Sequence, residues 1–277
     1  MKLATVRGAD GATHAARLED SEAVLLPFAD VGHLLANSGR WPTEAGETGE
    51  RRAIEEVTFC PVVPAPSKIF CVGLNYLRHI QEQGRPVPDH PSLFAKFPEA
   101  ITGPYDDIAL PGTSTSVDWE AELVVVIGRT VRDAGPQGAA DAIAGFTTGN
   151  DVSMRDWQHR TTQWLQGKTW GSSSPVGPVL VTTDEIGSAR PDLRVSCLVD
   201  DQTMQDARTS DLLFDPVHIV SYVSTIITLR PGDLIFTGTP EGVGAARTPP
   251  VFLQPGQVVT TRIEGIGEMR NRFVASD

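Results

Sequence analysis

Two glutamates one residue apart, Glu120 and Glu122, stand directly ahead of the apolar run Leu123-Val124-Val125-Val126-Ile127, which Gly128 ends. A run this rich in β-branched residues reads as a buried strand. Side chains alternate between the faces of a strand, so the two carboxylates share a face and Ala121 points away. Paired carboxylates at the mouth of an apolar strand repel each other unless water or a cation lies between them. A hard divalent cation such as Mg²⁺ accepts one or two protein carboxylates and keeps positions for substrate oxygens. The pair is half of a metal site; taken alone, it is equally a solvated strand end.

Asp151, within Gly149-Asn150-Asp151-Val152-Ser153, is a candidate third oxygen ligand. Arg155 and Gln158 follow it three residues apart, on one face if the segment is helical, and a planar guanidinium suits a substrate carboxylate. An N-cap aspartate with solvated residues behind it is the plainer alternative. Earlier in the chain, His79 and Glu82 lie at i and i+3 in Asn75-Tyr76-Leu77-Arg78-His79-Ile80-Gln81-Glu82. On a helical turn the carboxylate can orient the imidazole as a general base; a local surface contact is the competing reading. The polar, Pro-rich stretch from Gln83 to Pro91 reads as a loop able to close over a site. Lys168 precedes a Gly/Ser-rich loop, and Thr237-Gly238-Thr239-Pro240-Glu241-Gly242-Val243-Gly244 follows an apolar strand. Backbone N–H groups in such a glycine-rich loop can hold an anionic oxygen, although a tight structural turn fits as well.

The elements that must carry these residues are mostly strands. Segments 2–7, 23–26, 69–72, 123–127, 179–181, 193–199, 234–237 and 258–263 have strand character, and the glycine-rich 8–12 reads as a turn. Helical periodicity is clear for 139–144 and for 215–225, the latter with Pro216 at its start; residues 31–38 read as a short helix. The expected organisation is a small β-rich N-terminal domain (1–60), a stiff Pro-rich linker (61–67) and a catalytic domain (68–277). Neither a Rossmann glycine fingerprint nor a P-loop is present, which excludes the usual nucleotide folds. The chain has 277 residues, 40% of them hydrophobic, and a net charge of −12, which argues against nucleic acid and anionic membrane surfaces as partners. Its three cysteines, Cys60, Cys71 and Cys197, form no zinc or disulfide spacing. With no signal-like N-terminus and no apolar run of membrane-spanning length, the expected location is cytoplasmic.

Taken in order, these segments resemble the fumarylacetoacetate hydrolase family. The matching pieces are Val72-Gly73-Leu74-Asn75-Tyr76 with His79 and Glu82, Asp118-x-Glu120-x-Glu122-Leu123, Gly149-Asn150-Asp151-Val152-Ser153-x-Arg155-Asp156-x-Gln158, Lys168, Pro175-x-Gly177-Pro178, and Pro231-Gly232-Asp233 leading to Thr237 through Gly244. The resemblance spans about residues 65–275 and implies an α+β, mainly β architecture, a mixed β-sandwich roll that assembles as a homodimer. It implies Mg²⁺ or Mn²⁺ held by Glu120, Glu122 and Asp151. It also implies a catalytic His79/Glu82 pair in a lid, a role for Lys168 in neutralising charge or protonating product, and substrate contacts from Arg155, Gln158, Thr239, Tyr76 and Gly238.

The implied substrate is a small 2-oxo acid and the implied reaction hydrolysis of the C–C bond of an acylpyruvate through a metal-stabilised enolate, with His79 activating water. Oxaloacetate decarboxylation and 2-hydroxy-diene-dioate isomerisation are the alternatives that use the same apparatus, and a non-catalytic metal- or ligand-binding role is the third. One departure stands out: where many family members carry an aspartate three residues after the lysine, this chain has Gly171, so the pocket beside the metal differs from that of the acylpyruvate hydrolases.

Overall fold

The strand Ala121–Ile127 is buried along its whole length, and its two faces serve two different cores. Leu123, Val125 and Ile127 pack in one cluster with Val195, Cys197, Val259 and Ile263, and with Val217, Val220 and Val223 of the helix Pro216–Ile226. Val124 and Val126 pack in the other, with Leu3, Val31, Leu34, Leu180 and Phe236. A strand apolar on both faces has to lie inside a layered structure. In the computed structural model, which describes residues 1–37 and 40–276, it lies near the middle of a large mixed sheet.

Across that sheet the order is Arg51–Ala53, Glu22–Leu25, Thr13–Glu19, Lys2–Arg7, Ser174–Thr182, Ile143–Asn150, Ala121–Ile127, Leu234–Phe236, Ile69–Gly73 and Ser92–Lys96. Every neighbouring pair on this path is antiparallel except Leu234–Phe236 with Ile69–Gly73, which run parallel. A second sheet, in the order Gln202–Arg208, Arg194–Val199, Val258–Ile263, Gly267–Ala275 and Ile108–Leu110, covers one face of the first. The architecture is α+β and mainly β, a mixed β-sandwich roll.

The first strands do not fold away from the rest. Lys2 pairs with Val181 and Leu3 with Leu180, so the N-terminal meander continues the main sheet. Residues 61–67 carry no helix or strand and lead straight into Ile69–Gly73. The helix expected over 31–38 is Val31–Ala36, capped by Asp30, whose carboxylate accepts from the His33 N–H at 2.8 Å; Ser38 lies outside the described residues.

One element is corrected. Ile143 and Ala144, expected to close a helix, instead open the strand Ile143–Asn150, and the helix is Pro136–Ala142. β-branched Ile143 pairs with Ile127, so tertiary pairing outweighs the helical signal of the alanines. The strands Gln202–Arg208 and Gly267–Ala275 were not expected from their polar sequences; one face of each meets solvent. Among the described residues no helix is long and apolar enough to cross a membrane.

Candidate active site

Register brings the carboxylates together. Ala121 pairs with Asn150 and Glu122 with Gly149, which sets the start of one strand against the end of the next. Asn150 locks this junction: its Oδ1 accepts from the Glu120 N–H at 2.9 Å and its Nδ2 donates to Thr261 Oγ1 at 2.9 Å. The Asp151 N–H then donates to the Glu120 carbonyl at 2.9 Å. As a result one carboxylate oxygen from each of Glu120, Glu122 and Asp151 lies within 4.8 Å of the others, and all three residues are buried. Gly149 leaves the room: a Cβ there would sit 2.5 Å from Val124 Cγ2 and 2.7 Å from Phe236 Cε1.

Three cations surround the triad. Lys168 Nζ donates to Glu120 Oε2 at 2.6 Å and to Asp151 Oδ2 at 2.9 Å. Lys96 Nζ lies 2.6 Å from Asp151 Oδ1, off the hydrogen-bond direction, and also donates to the Lys168 carbonyl. Arg155 Nη1 lies 2.6 Å from Glu120 Oε1, and its Nε donates to Asp118 Oδ2 at 2.8 Å. Burial pushes the Glu120 carboxyl up, but Arg155 and Lys168 outweigh it and hold it well below the usual range. Burial pushes the Lys168 ammonium down, but Asp151 and Glu120 outweigh it and raise it above its ordinary value.

Glu122 differs from its neighbours because, among the described residues, its only hydrogen-bond or ion-pair partner is the Gly238 N–H, which donates at 2.7 Å. Burial, then Asp151 and Glu120, push its carboxyl well above the usual range. Gly238 reaches it in the left-handed region at φ 105°, where a Cβ would meet Asn75 Cβ at 2.9 Å. Three buried carboxylates, one of them short of a cation, form an all-oxygen donor set suited to a hard divalent ion. The residues fit Mg²⁺ or Mn²⁺.

Over this floor lies the helix Leu77–Glu82. His79 is 4% exposed, with Nδ1 3.2 Å from Glu82 Oε1 and Nε2 2.7 Å from the Gln83 side-chain nitrogen. A carboxylate only accepts, so the proton belongs on Nδ1 and the Nε2 lone pair faces the Gln83 amide. Glu82 in turn accepts from the Gly242 N–H at 2.9 Å. Burial raises the Glu82 carboxyl, but His79 and that N–H bring it below its ordinary value.

Of the expected site residues, His79, Glu82, Glu120, Glu122, Arg155, Gln158, Lys168 and Thr239 line one cleft of about 280 Å³. Asp151 lies behind it, covered by the two lysines. Tyr76 and Gly238, expected to touch substrate, do not line the cleft. Tyr76, which bridges to Leu212 just ahead of the lid helix, is wholly buried, and Gly238 is spent on Glu122. Three residues escaped the sequence reading. Lys96 pairs with Asp151. Asp118 accepts from Arg155 and from the N–H groups of Gly244 and Ala245 at 2.7 and 3.0 Å. Gln205 joins the Ala121 N–H to Thr239 Oγ1 and the Pro240 carbonyl. The signal available for Asp118 was its place in the acidic motif; Lys96 and Gln205 lie on ordinary-looking strands.

Residues 68–274 match the family model described as fumarylacetoacetate (FAA) hydrolase C-terminal. The mitochondrial oxaloacetate tautomerase FAHD2A of Bos taurus is 46% identical over 221 residues, which are 79% of this chain and 70% of that protein. The structure of 5-carboxymethyl-2-hydroxymuconate delta-isomerase from Mycobacterium smegmatis is similar at 34% identity and a TM-score of 0.84, over 100% of both chains. That of fumarylpyruvate hydrolase from Pseudomonas aeruginosa, in complex with Mn²⁺ and pyruvate, is similar at 31% identity and a TM-score of 0.70, over 79% of this chain and 92% of that one. The relatives are enzymes of differing reaction type. With its motifs, fold and the extent of these matches all in agreement, this chain belongs to the fumarylacetoacetate hydrolase family.

Proposed function

We propose that this protein is a divalent-cation-dependent enzyme that moves a proton at the carbon beside the oxo group of a small 2-oxo acid, with enol–keto interconversion of oxaloacetate as the leading reaction. The observation that carries this reading is on Arg155. Its Nε and Nη1 are paired with Asp118, Glu120 and Gln158, while its buried Nη2 has no partner. An unpaired buried donor costs on the order of 1–3 kcal/mol; Arg155 lines the cleft, where a ligand oxygen reaching its guanidinium would relieve that cost. The cleft, about 280 Å³, is just below the roughly 300–1,000 Å³ typical of ligand pockets, which suits a four-carbon acid. The activity named for the Bos taurus relative agrees with this choice.

In this reading Glu120, Glu122 and Asp151 hold Mg²⁺ or Mn²⁺, which when bound supplies Lewis-acid stabilisation of negative charge on substrate oxygens. Arg155 and Gln158 bind the carboxylate. His79 takes the proton on Nε2, Glu82 stabilises the imidazolium that forms, and the imidazolium returns the proton to the other tautomer. Lys168 adds fixed positive charge beside the developing anion.

A second reading, hydrolysis of an acylpyruvate, is favoured by the Gln83 amide, which marks a polar position 2.7 Å from His79 Nε2. A water taking that place would give its proton to His79. The hydroxide would attack the distal carbonyl, and C–C cleavage would yield a carboxylic acid and pyruvate. Decarboxylation of oxaloacetate and isomerisation of 2-hydroxy-diene-dioates use the same cationic wall. Assembly as a homodimer belongs to the proposal and is checked by light scattering.

The test follows enol–keto interconversion of oxaloacetate spectrophotometrically on EDTA-stripped enzyme, with Mg²⁺ or Mn²⁺ restored. Decarboxylation, acylpyruvate cleavage and diene-dioate isomerisation are run beside it. Metal-restored interconversion without bond cleavage supports the leading reading, and metal-restored cleavage moves the assignment to the hydrolase. Inertness toward every 2-oxo acid with either metal rejects both.

A further inference from the structure

We propose that Arg85 forms a subsite for a second, distal carboxylate, so that the cleft selects 2-oxo dicarboxylates over 2-oxo monocarboxylates. The proposal rests on the 2-oxo acid reading above and specifies its substrate class. Arg85 lines the same cleft as the triad but comes from the lid, whereas Arg155 and Lys168 belong to the floor. Every other full charge on the cleft wall is already engaged. Glu82 serves His79 and the Gly242 N–H, Glu120 serves Arg155 and Lys168, and Glu122 accepts from Gly238. The Arg85 guanidinium makes no ion pair and no side-chain hydrogen bond among the described residues, and is the one full charge there with no protein partner at all, where Arg155 keeps only its Nη2 unpaired.

Its backbone is fixed even though its side chain is free. The lid helix ends in a Schellman arrangement: Gly84 N–H donates to the Gln81 carbonyl at 3.0 Å and Arg85 N–H to the Ile80 carbonyl at 3.1 Å, with Gly84 left-handed at φ 62°. The residue after that glycine is thereby aimed from the end of the His79 helix. Arg85 also acts on the interior of the cleft. His159, on the same wall, is held below its ordinary value by burial and then by Arg155, Arg85 and Lys168. A second carboxylate entering the cleft loses water and needs a cation, and Arg85 is the group placed to supply it.

The test compares C3–H exchange in D₂O for oxaloacetate and for 2-oxobutanoate, its equal-length monocarboxylate analogue, with Mg²⁺-loaded wild type, Arg85→Gln and Arg85→Lys. In wild type the dicarboxylate is preferred. In Arg85→Gln the ratio of the two kcat/KM values is expected to fall about tenfold, mainly through KM for oxaloacetate, as fits the loss of one charged hydrogen-bonding contact. Arg85→Lys is expected to recover part of the ratio, and salt to erode it in wild type but not in Arg85→Gln. An unchanged ratio in Arg85→Gln, or equal losses on both acids, overturns the subsite while leaving the 2-oxo acid reading intact. Failure of wild type to exchange either acid overturns both.

Discussion

Glu122 is the carboxylate with most to gain from a cation, and its protonation gives a measurable sign. Its folded-state value is raised above the ordinary 4.5 by burial, Asp151 and Glu120. A raised carboxyl binds its proton more tightly in the folded protein than in the unfolded chain. Its contribution to stability is complete below about pH 4.5 and is lost as pH climbs toward the raised value. The metal-free protein is therefore expected to lose thermal stability as pH rises above about 5, and divalent affinity to increase over the same span. Glu122→Gln should flatten that loss, raise the metal-free Tm near neutrality and abolish the rise in Tm on adding Mg²⁺. A mutant that still gained stability from Mg²⁺ would remove Glu122 from the ligand set. His79→Ala is expected to cut kcat by about 10²–10⁴ while the Mg²⁺-induced Tm shift survives; stopped-flow and melting curves check both halves. The types and spacing of Glu120, Glu122, Asp151, His79 and Glu82 made their chemistry legible because each signal is local: an alternating pair, an i, i+3 pair. Lys96 and Gln205 were not legible, since their importance arises from partners at least 34 residues away, such as Thr239, Asp151 and Ala121.

At the scale of elements, the site depends on how tightly two adjacent strands approach at Glu122 and Gly149. Gly149→Ala puts a methyl group against Val124 and Phe236, neither of which can swing away in a filled core. A cost of about 1–3 kcal/mol is expected, read as a lower Tm, together with weaker Mg²⁺ binding because Asp151 follows two residues later. An unaltered melting curve would show that the strands part more easily than the packing implies. Lys2–Arg7 and Val258–Ile263 could be delimited from sequence because turns flank continuous strand formers. Ile143–Asn150 could not, because Gly145 and Gly149 interrupt it. Those glycines are there for close backbone approach, which single-residue propensities read as weakness.

For the molecule as a whole, the first sixty residues are the main question. Composition and the proline cluster at 61–66 suggest a separate domain, whereas the strand Lys2–Arg7 hydrogen-bonds along Ser174–Thr182 and Leu3 shares a core with Val124 and Phe236. Deleting residues 1–60 decides between a dispensable appendage and a required part of the sheet. We expect insoluble protein, because Ser174–Thr182 would become a buried, apolar strand laid bare at an edge; soluble, metal-responsive protein would establish an independent catalytic domain. The same pairing also has a consequence in time. Lys2 and Val181 are 179 positions apart, and at 5–20 residues per second a ribosome needs roughly 10–35 s to make the intervening chain. Throughout that interval the opening meander has one strand without its neighbour. Nascent chains stalled short of residue 182 should therefore recruit chaperones, and those stalled well beyond it should release them.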